Sequence, residues 1–266
     1  MKKTAFYFVI LLLSFLIFTV NSVQAATTKP TAKAKKTYTE REYTVNTKDG
    51  HLIHAYLSYP KTKQKGYPTI IMLHSLGRSA YYWKPLQEKF NNLGFAVLRI
   101  DFRGHGKSVY NKTFHQKSWT TFKNNTFAKY PQDVLDTIET IQKSTKKPNF
   151  TNYAIIGSDI GANTAILVAK EMTVKPKALV LIAPSMSFKS LYVPVALTEI
   201  GNTPILAISS KTDNYFMKEQ EKIAKFAQGV FDVYNLESGL TDMLIIRQNP
   251  EVQPTIINWV VQYFKK

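Results

Sequence analysis

The segment Gly157-Ser158-Asp159-Ile160-Gly161 carries the side chain best placed for covalent or acid–base chemistry. Glycine on either side of Asp159 lets the chain turn sharply between a strand and a helix, and holds the middle residue at the helix N-terminus. A carboxylate held there is a candidate nucleophile. Ser158 stands one residue early, and a one-residue shift in such a turn directs a side chain away from the pocket. The spacing therefore favours Asp159 over Ser158.

Histidine is the side chain that most often serves such a nucleophile as a base, and its distribution along this chain is uneven. The five histidines are His51, His54, His74, His105 and His115, and all of them precede Asp159. A serine nucleophile needs a base to accept its proton, and an aspartate nucleophile needs one to activate water. The sequence therefore offers no histidine on the C-terminal side of the predicted nucleophile.

The composition excludes several other kinds of site. The chain has no cysteine, which excludes disulfides, a thiolate nucleophile and a cysteine-ligated zinc. No H-x-x-x-H pair is present, so the sequence predicts neither a metal site nor a cofactor. Hydrophobic residues make up 44% of the chain, which predicts a globular protein rather than a disordered one.

Alternating strand-like and helix-like segments after residue 38 predict an α/β protein. We expect an eight-stranded, mostly parallel sheet with helices on both faces. The pair Asp49-Gly50 predicts a hairpin between the first two strands, which makes that end of the sheet antiparallel. Four later runs are largely apolar rather than alternating, as strands buried on both faces are: 69–73, 95–100, 153–156 and 178–182. Because ligand sites in such sheets lie beyond the carboxyl ends of the strands, residues that follow these runs are predicted to converge.

Three motifs at these strand ends resemble those of α/β-hydrolases. His74-Ser75-Leu76-Gly77 resembles the family's oxyanion loop, and residues 157–161 resemble its nucleophile elbow. Residues 101–108 (DFRGHGKS) resemble the loop that follows the next strand of the sheet. From Tyr38 to the C-terminus the chain is similar to the compact esterases, dienelactone hydrolases and serine aminopeptidases of that family, which carry no large cap domain.

The resemblance implies a role for each of the motif positions. Asp159 takes the nucleophile-elbow position, which usually holds serine, and the backbone N–H groups of Leu76 and Ile160 would form the oxyanion hole. Asp213 takes the position of the triad acid. Residues 239–240 are Gly-Leu at the point where relatives often carry His-Gly. Two of the three triad positions therefore depart from the esterase pattern together.

This paired departure predicts a protein that is non-catalytic or weakly catalytic and whose pocket could bind a small acyl or ester-like molecule. The alternative is an active carboxylic-ester or acyl hydrolase that uses Asp159 with Asp213 and an unconventional base such as His74. A further hypothesis places water or a cation between the two carboxylates. The segment between Ile182 and Pro204 is too short for the helical cap of dehalogenase-like members, which argues against that activity.

The N-terminal residues predict export. Residues 1–25 combine two lysines, a 16-residue apolar run and small residues before Ala25, which is typical of a cleaved signal peptide. The alternative is an uncleaved N-terminal membrane anchor, although the run is shorter than the ~20 residues a spanning helix needs. Residues 26–37 form a flexible basic lead-in, and residues 38–266 form the single predicted domain. The localisation is therefore predicted to be periplasmic or extracellular.

The chain is strongly basic, with 35 Lys and Arg against 18 Asp and Glu and a formal net charge of +17. Residues 107–130 hold five lysines, six aromatic residues and no acid. Such a segment could bind an anionic envelope polymer or a membrane surface, and nucleic acid is not the expected partner. The alternative is a loop whose aromatic rings pack on the domain while its lysines are solvated. Nothing in the sequence predicts an oligomeric state.

Overall fold

A computed structural model describes residues 36–237, 239–240 and 242–265. The predicted signal peptide and all but the last two residues of the lead-in lie outside these residues. From Lys36 onward the chain forms one compact unit. No helix in the described part of the chain is long and apolar enough to cross a membrane.

The main sheet has eight strands in the order β1-β2-β4-β3-β5-β6-β9-β10, which confirms the predicted α/β-hydrolase architecture. Strand β2 pairs antiparallel with β1 and with β4, and every other neighbouring pair is parallel. A separate two-stranded ribbon is formed by β7 and β8. The strands are β1 Tyr38–Asn46, β2 Leu52–Pro60, β3 Tyr67–Leu73, β4 Ala96–Ile100, β5 Pro148–Ser158, β6 Leu179–Ile182, β7 Ser187–Phe188, β8 Leu191–Tyr192, β9 Ile205–Ser210 and β10 Phe231–Leu236.

Helices cover both faces of the sheet, as predicted. They are α1 Lys84–Asn92, α2 Asn124–Phe127, α3 Tyr130–Ser144, α4 Ile160–Glu171, α5 Pro194–Glu199, α6 Asn214–Ala224, α7 Leu244–Gln248 and α8 Val252–Gln262. Helix α6 begins at Asn214 because the Asp213 side chain caps it, accepting from the backbone N–H groups of Tyr215 and Phe216.

The core consists of two apolar layers separated by the sheet. Successive residues of β3 alternate between them, so Ile71 and Leu73 join the layer under α3 and α4. Ile70 and Met72 join the layer under α1 and α8. A strand whose residues are buried on both sides needs an unbroken apolar run, which explains why β3 shows no polar alternation in the sequence.

A buried arginine ties the β1–β2 hairpin to the helical layer. The Arg103 guanidinium donates to both carboxylate oxygens of Asp133 in α3, with Nε 2.6 Å from Oδ2. It also donates to Asp49 in the hairpin turn, with Nη1 2.8 Å from Oδ2. Lys129 Nζ lies 2.7 Å from the same Asp49 oxygen. The acidic residue of the predicted Asp-Gly turn is therefore also a partner of the loop that follows β4.

Candidate active site

The turn between β5 and α4 has the geometry that the two glycines predicted. Asp159 stands between the strand and the helix with φ 53° and ψ −118°, in a region that L-residues rarely adopt. A Cβ atom on Gly157 would lie 2.2 Å from the carbonyl oxygen of Gly161. A Cβ atom on Gly161 would lie 2.3 Å from the carbonyl oxygen of Leu73. Only glycine at both positions lets helix, elbow and strand approach this closely.

The Asp159 carboxylate lies at the two amides that were predicted to form the oxyanion hole. The backbone N–H of Leu76 donates to Oδ2 at 3.0 Å, and the backbone N–H of Ile160 lies close enough to lower the pKa of the same carboxyl group. The pKa of Asp159 is raised to about 6, mainly by burial; the Leu76 and Ile160 amides act in the opposite direction, and the nearby charge of Asp242 makes a smaller contribution to the rise. The Asp159 side chain thus occupies the position in which an oxyanion hole would stabilise the oxygen of a bound acyl group.

Ser158 points into the interior, away from this site. Its hydroxyl oxygen accepts a hydrogen bond from the Ser75 hydroxyl at 2.9 Å, and both residues are fully buried. The Ser158 side chain is thus directed away from the pocket, as expected for a residue one position before the centre of the turn.

Both ring nitrogens of His74 are hydrogen-bonded to backbone groups. Nδ1 lies 2.8 Å from the carbonyl oxygen of Ser75, and Nε2 lies 3.0 Å from the amide nitrogen of Phe102, from which it accepts. Burial lowers the pKa of His74 to about 4. In this arrangement neither nitrogen is free to accept a proton from water at Asp159, which weighs against His74 as the unconventional base.

His105 and His51 also hold loops in place. His105 Nε2 accepts from the backbone N–H of Gly77 at 3.0 Å, and its Nδ1 lies 3.1 Å from the carbonyl oxygen of Arg103. His51 lies on the β1–β2 hairpin but is not solvated. Its side chain is buried, with Nε2 2.8 Å from the carbonyl oxygen of Ser108, because residues 108–111 fold back over the hairpin.

Asp213 lies at the start of α6, where its carboxylate caps the helix. Oδ1 accepts from the backbone N–H groups of Tyr215 at 3.2 Å and Phe216 at 3.3 Å. Gly239, where the family resemblance implies a histidine, is close by, because a Cβ on Gly239 would lie 3.3 Å from Thr212 Oγ1. The loop that follows β9 and the loop that follows β10 therefore meet here.

No cluster of three or more potential metal ligands exists among the described residues. Among the described residues, Asp159 and Asp213 are therefore not part of a larger group of potential cation ligands.

An ion pair beside the elbow was not predicted from the sequence. Asp242 Oδ2 lies 3.4 Å from Arg78 Nη2, and the Arg78 guanidinium stands over the Tyr82 ring at 5.5 Å. Asp242 also has a positive φ of 58°. Arg78 directly follows the oxyanion loop, but its partner is 164 residues away along the chain. Short-range spacing carries no signal for a pair so distant in sequence.

Most aromatic rings of the basic segment 107–130 pack onto the domain. Trp119 stacks on the His105 ring at a centroid distance of 5.5 Å, and Phe122, Phe127 and Tyr130 contact one another. The exposed aromatic residues of the segment are Tyr110 and Phe114. The segment is therefore anchored by its rings, while its lysines are solvent-accessible.

Comparison with known proteins agrees with this geometry. Residues 64–230, more than half of the 266 residues, match the family described as serine aminopeptidase, S33. The chain belongs to this α/β-hydrolase family. No curated protein matches it.

Several solved hydrolases share the fold of this S33-type protein. A dienelactone hydrolase from Anabaena variabilis superposes with a TM-score of 0.63 at 14% identity, covering 86% of this chain and 97% of that one. An acetyl xylan esterase from Paenibacillus sp. R4 superposes with a TM-score of 0.66 at 15% identity, and the match covers 87% of this chain and 86% of the esterase. Est1E from Butyrivibrio proteoclasticus superposes with a TM-score of 0.61 at 16% identity, and the match covers 85% of this chain and 99% of Est1E. At these identities the likeness establishes the fold alone.

Proposed function

We propose that this S33-type α/β-hydrolase is an exported protein that turns over esters weakly or not at all, and that its former active-site pocket binds a small acyl or ester-like molecule. The position of the Asp159 carboxylate at these two amides carries this proposal: the Leu76 N–H donates to it, and the Ile160 N–H helps to lower its pKa. An oxyanion hole accelerates acyl transfer by stabilising negative charge on the substrate oxygen. Here the two donors already serve a carboxylate of the protein, so an entering carbonyl oxygen would have to displace it.

The positions of the basic side chains support the same conclusion. Asp159 would need a neighbouring base to activate the water that releases an ester intermediate. The ring nitrogens of His74 and His105 are engaged by backbone groups. No histidine follows residue 115 in the sequence. Without a base, attack by Asp159 would stop at a covalent adduct.

Ester hydrolysis by the purified mature protein tests the proposal. Wild-type protein and Asp159→Asn are expected to show the same background rate on short-chain aryl esters and thioesters. Turnover that is well above background and disappears in Asp159→Asn would instead establish an active hydrolase working through Asp159.

A double variant serves as the positive control for that assay. Asp159→Ser restores a neutral nucleophile and frees the two amides, and Gly239→His places an imidazole beside the loop that carries Asp213. A positioned general base contributes about 10²–10⁴-fold to such reactions. We therefore expect the double variant to exceed Asp159→Ser alone by about a hundredfold, which also checks that the substrates reach the site.

Export is the second part of the proposal, and it rests on residues 1–25. Cleavage after Ala25 would leave 241 of the 266 residues. N-terminal sequencing of protein recovered from the culture medium or periplasm is expected to begin Ala26-Thr27-Thr28. Full-length protein recovered from the membrane fraction would support the uncleaved anchor instead.

A further inference from the structure

A polar cavity of about 360 Å³ lies under the basic segment 107–130 and is separate from the elbow. The hairpin turn contributes one wall, the loop after β4 contributes a second, and the basic segment contributes the remaining lining of a cavity that is open to solvent. Its lining is Asp49, His51, Arg103, Asn111, Lys117, Thr121, Phe122, Lys123, Asn125 and Thr126. The volume lies within the range of about 300–1,000 Å³ typical of small-molecule sites.

The charges that line this cavity favour an anion. Its only carboxylate, Asp49, is held by Arg103 and Lys129. Arg103 is in turn occupied by Asp49 and Asp133. Lys117 and Lys123 form no ion pair with any residue that the structure describes. Two uncompensated ammonium groups therefore remain at the cavity.

The neutral lining supplies donors of the kind that hold hydroxyl groups. Asn111 Oδ1 already accepts from Thr113 and from the backbone N–H of His115, so its remaining donors are on Nδ2. Asn125 and Thr126 add an amide and a hydroxyl to the same wall. Phe122 provides one apolar surface, against which a carbon skeleton could pack.

We propose that this cavity binds a phosphorylated polyol or sugar, with the phosphate near Lys117 and Lys123 and the hydroxyl groups among the asparagine and threonine side chains. Lysine ammonium groups act as point charges that suit phosphate oxygens. The cavity is larger than a phosphate group alone needs, which favours a ligand that carries a hydroxylated carbon chain as well. Phe122 is the one Phe, Tyr or Trp in its lining, so the cavity lacks the succession of such rings on which nucleic-acid bases stack.

Calorimetric titration of the mature protein at physiological salt tests the proposal with three probes: glycerol 1-phosphate, inorganic phosphate and glycerol. We expect glycerol 1-phosphate to bind at least tenfold more tightly than inorganic phosphate, and glycerol to show no measurable binding. Poly(glycerol phosphate) distinguishes a polymer from a free metabolite as the source of the ligand, because only a polymer site would bind the chain more tightly per repeat than the monomer. Failure of the wild-type protein to bind either phosphate ester would overturn the proposal.

Matched variants separate a built site from general attraction to a basic surface. The pair Lys117→Gln/Lys123→Gln is expected to weaken binding at least tenfold, since hydrogen bonds between ammonium and phosphate groups are among the strongest in proteins. The control pair Lys218→Gln/Lys225→Gln removes the same charge from exposed positions of α6 and its C-cap, outside the lining. Equal losses in the two pairs would overturn the proposal.

A neutral variant tests the cavity itself. Asn125 is exposed at the cavity wall, so Asn125→Trp should fold normally while filling the space. Binding is expected to fall at least tenfold although the net charge is unchanged. Undiminished binding by a folded Asn125→Trp protein would place the ligand elsewhere and refute the assignment.

Discussion

Asp159 is held in a backbone conformation that costs about 1–3 kcal/mol for a residue with a side chain. In a serine hydrolase the same strain presents a nucleophile to the substrate. Here it presents a carboxylate to the oxyanion-loop amide of Leu76, and the hydrogen bond that results offsets part of the strain. The elbow has thus kept its geometry while the group that it positions has changed.

The buried carboxylate makes the stability of the protein depend on pH. The pKa of Asp159 is about 6 in the folded protein and 3.8 is the ordinary value, so the folded state binds a proton that the unfolded chain releases. Its favourable contribution is therefore present at low pH and is lost as the pH rises from about 4 to about 6. The loss amounts to about 2 to 3 kcal/mol.

Urea unfolding of Asp159→Asn across this window measures the effect. The asparagine does not titrate, so the free energy of unfolding of the variant relative to wild type should rise by about 2 to 3 kcal/mol between pH 4 and pH 7. Burial also raises the pKa of Asp133 to about 6, but this residue is present in both proteins and its contribution cancels. A difference that stays constant over the window would show that Asp159 ionises near its ordinary pKa.

Sequence reasoning reached the members of this site but not their mutual contacts. Glycine spacing identified Asp159, and the oxyanion loop identified Leu76, because each signal lies within a few consecutive residues. That the Leu76 amide donates to the Asp159 carboxylate depends on two loops 83 residues apart. The Arg78–Asp242 pair depends on a still longer separation. Such contacts follow from the packing of the whole sheet, which no local pattern encodes.

At the level of elements, the contact between α4 and β3 depends on the absence of a side chain. Gly161 lies in the first turn of α4, against the carbonyl groups of Leu73 and His74, which are 2.3 and 2.7 Å from the position of a Cβ. Both contacts are with backbone atoms, which cannot rotate away as a side chain could. Any substitution must therefore push the helix off the strand that leads into the oxyanion loop.

Gly161→Ala is expected to lower the free energy of unfolding by about 3 kcal/mol or more, since overpacking against rigid atoms costs about 1–3 kcal/mol and the oxyanion loop must also shift. Chemical denaturation followed by circular dichroism measures the loss. Gly66→Ala is the matched control, because its Cβ meets nothing within 4 Å and only its φ of +67° opposes the change. That variant should lose about 1 kcal/mol. Equal losses would mean that α4 can move away from β3 without cost.

The main sheet was predictable because its central strands are buried on both faces and leave long apolar runs. The short elements were not. Helices α2 and α7 span four and five residues, and β7 and β8 span two each. Segments of this length show no hydrophobic period, and their conformation depends on the surface against which they pack. The first residues of β5, from Pro148 onward, lie outside the predicted run 153–156. They pair with β3 in a register that shifts between Pro68 and Thr69, and no local pattern indicates such a shift.

For the molecule as a whole, Arg103 joins parts of the chain that the sheet alone does not connect. Its guanidinium contacts the hairpin through Asp49 and the helical layer through Asp133. Both the arginine and Asp133 are almost completely buried. A buried charge is tolerated only while its partner is present, so these residues act as a single unit.

Asp133→Ala is expected to destabilise the protein by about 3 kcal/mol or more, because it leaves the buried Arg103 charge with a single carboxylate partner. Asp136→Ala on the same helix is the control. Asp136 is half-buried and accepts a hydrogen bond from Gln132, with no ion pair recorded for it among the described residues. The control should change the midpoint of thermal unfolding little, and similar shifts for both variants would show that the Arg103 network adds nothing specific.

The carboxylate at the elbow has one more consequence. Ester hydrolysis leaves a carboxylic acid in the oxyanion hole, and Asp159 resembles such a product that is covalently attached to its own enzyme. A short tether keeps its effective concentration at millimolar levels or above. Free carboxylates and other product analogues must therefore compete with a permanent occupant. A carbonyl or carboxylate group of a ligand can therefore reach the Leu76 amide only when the Asp159 side chain turns away.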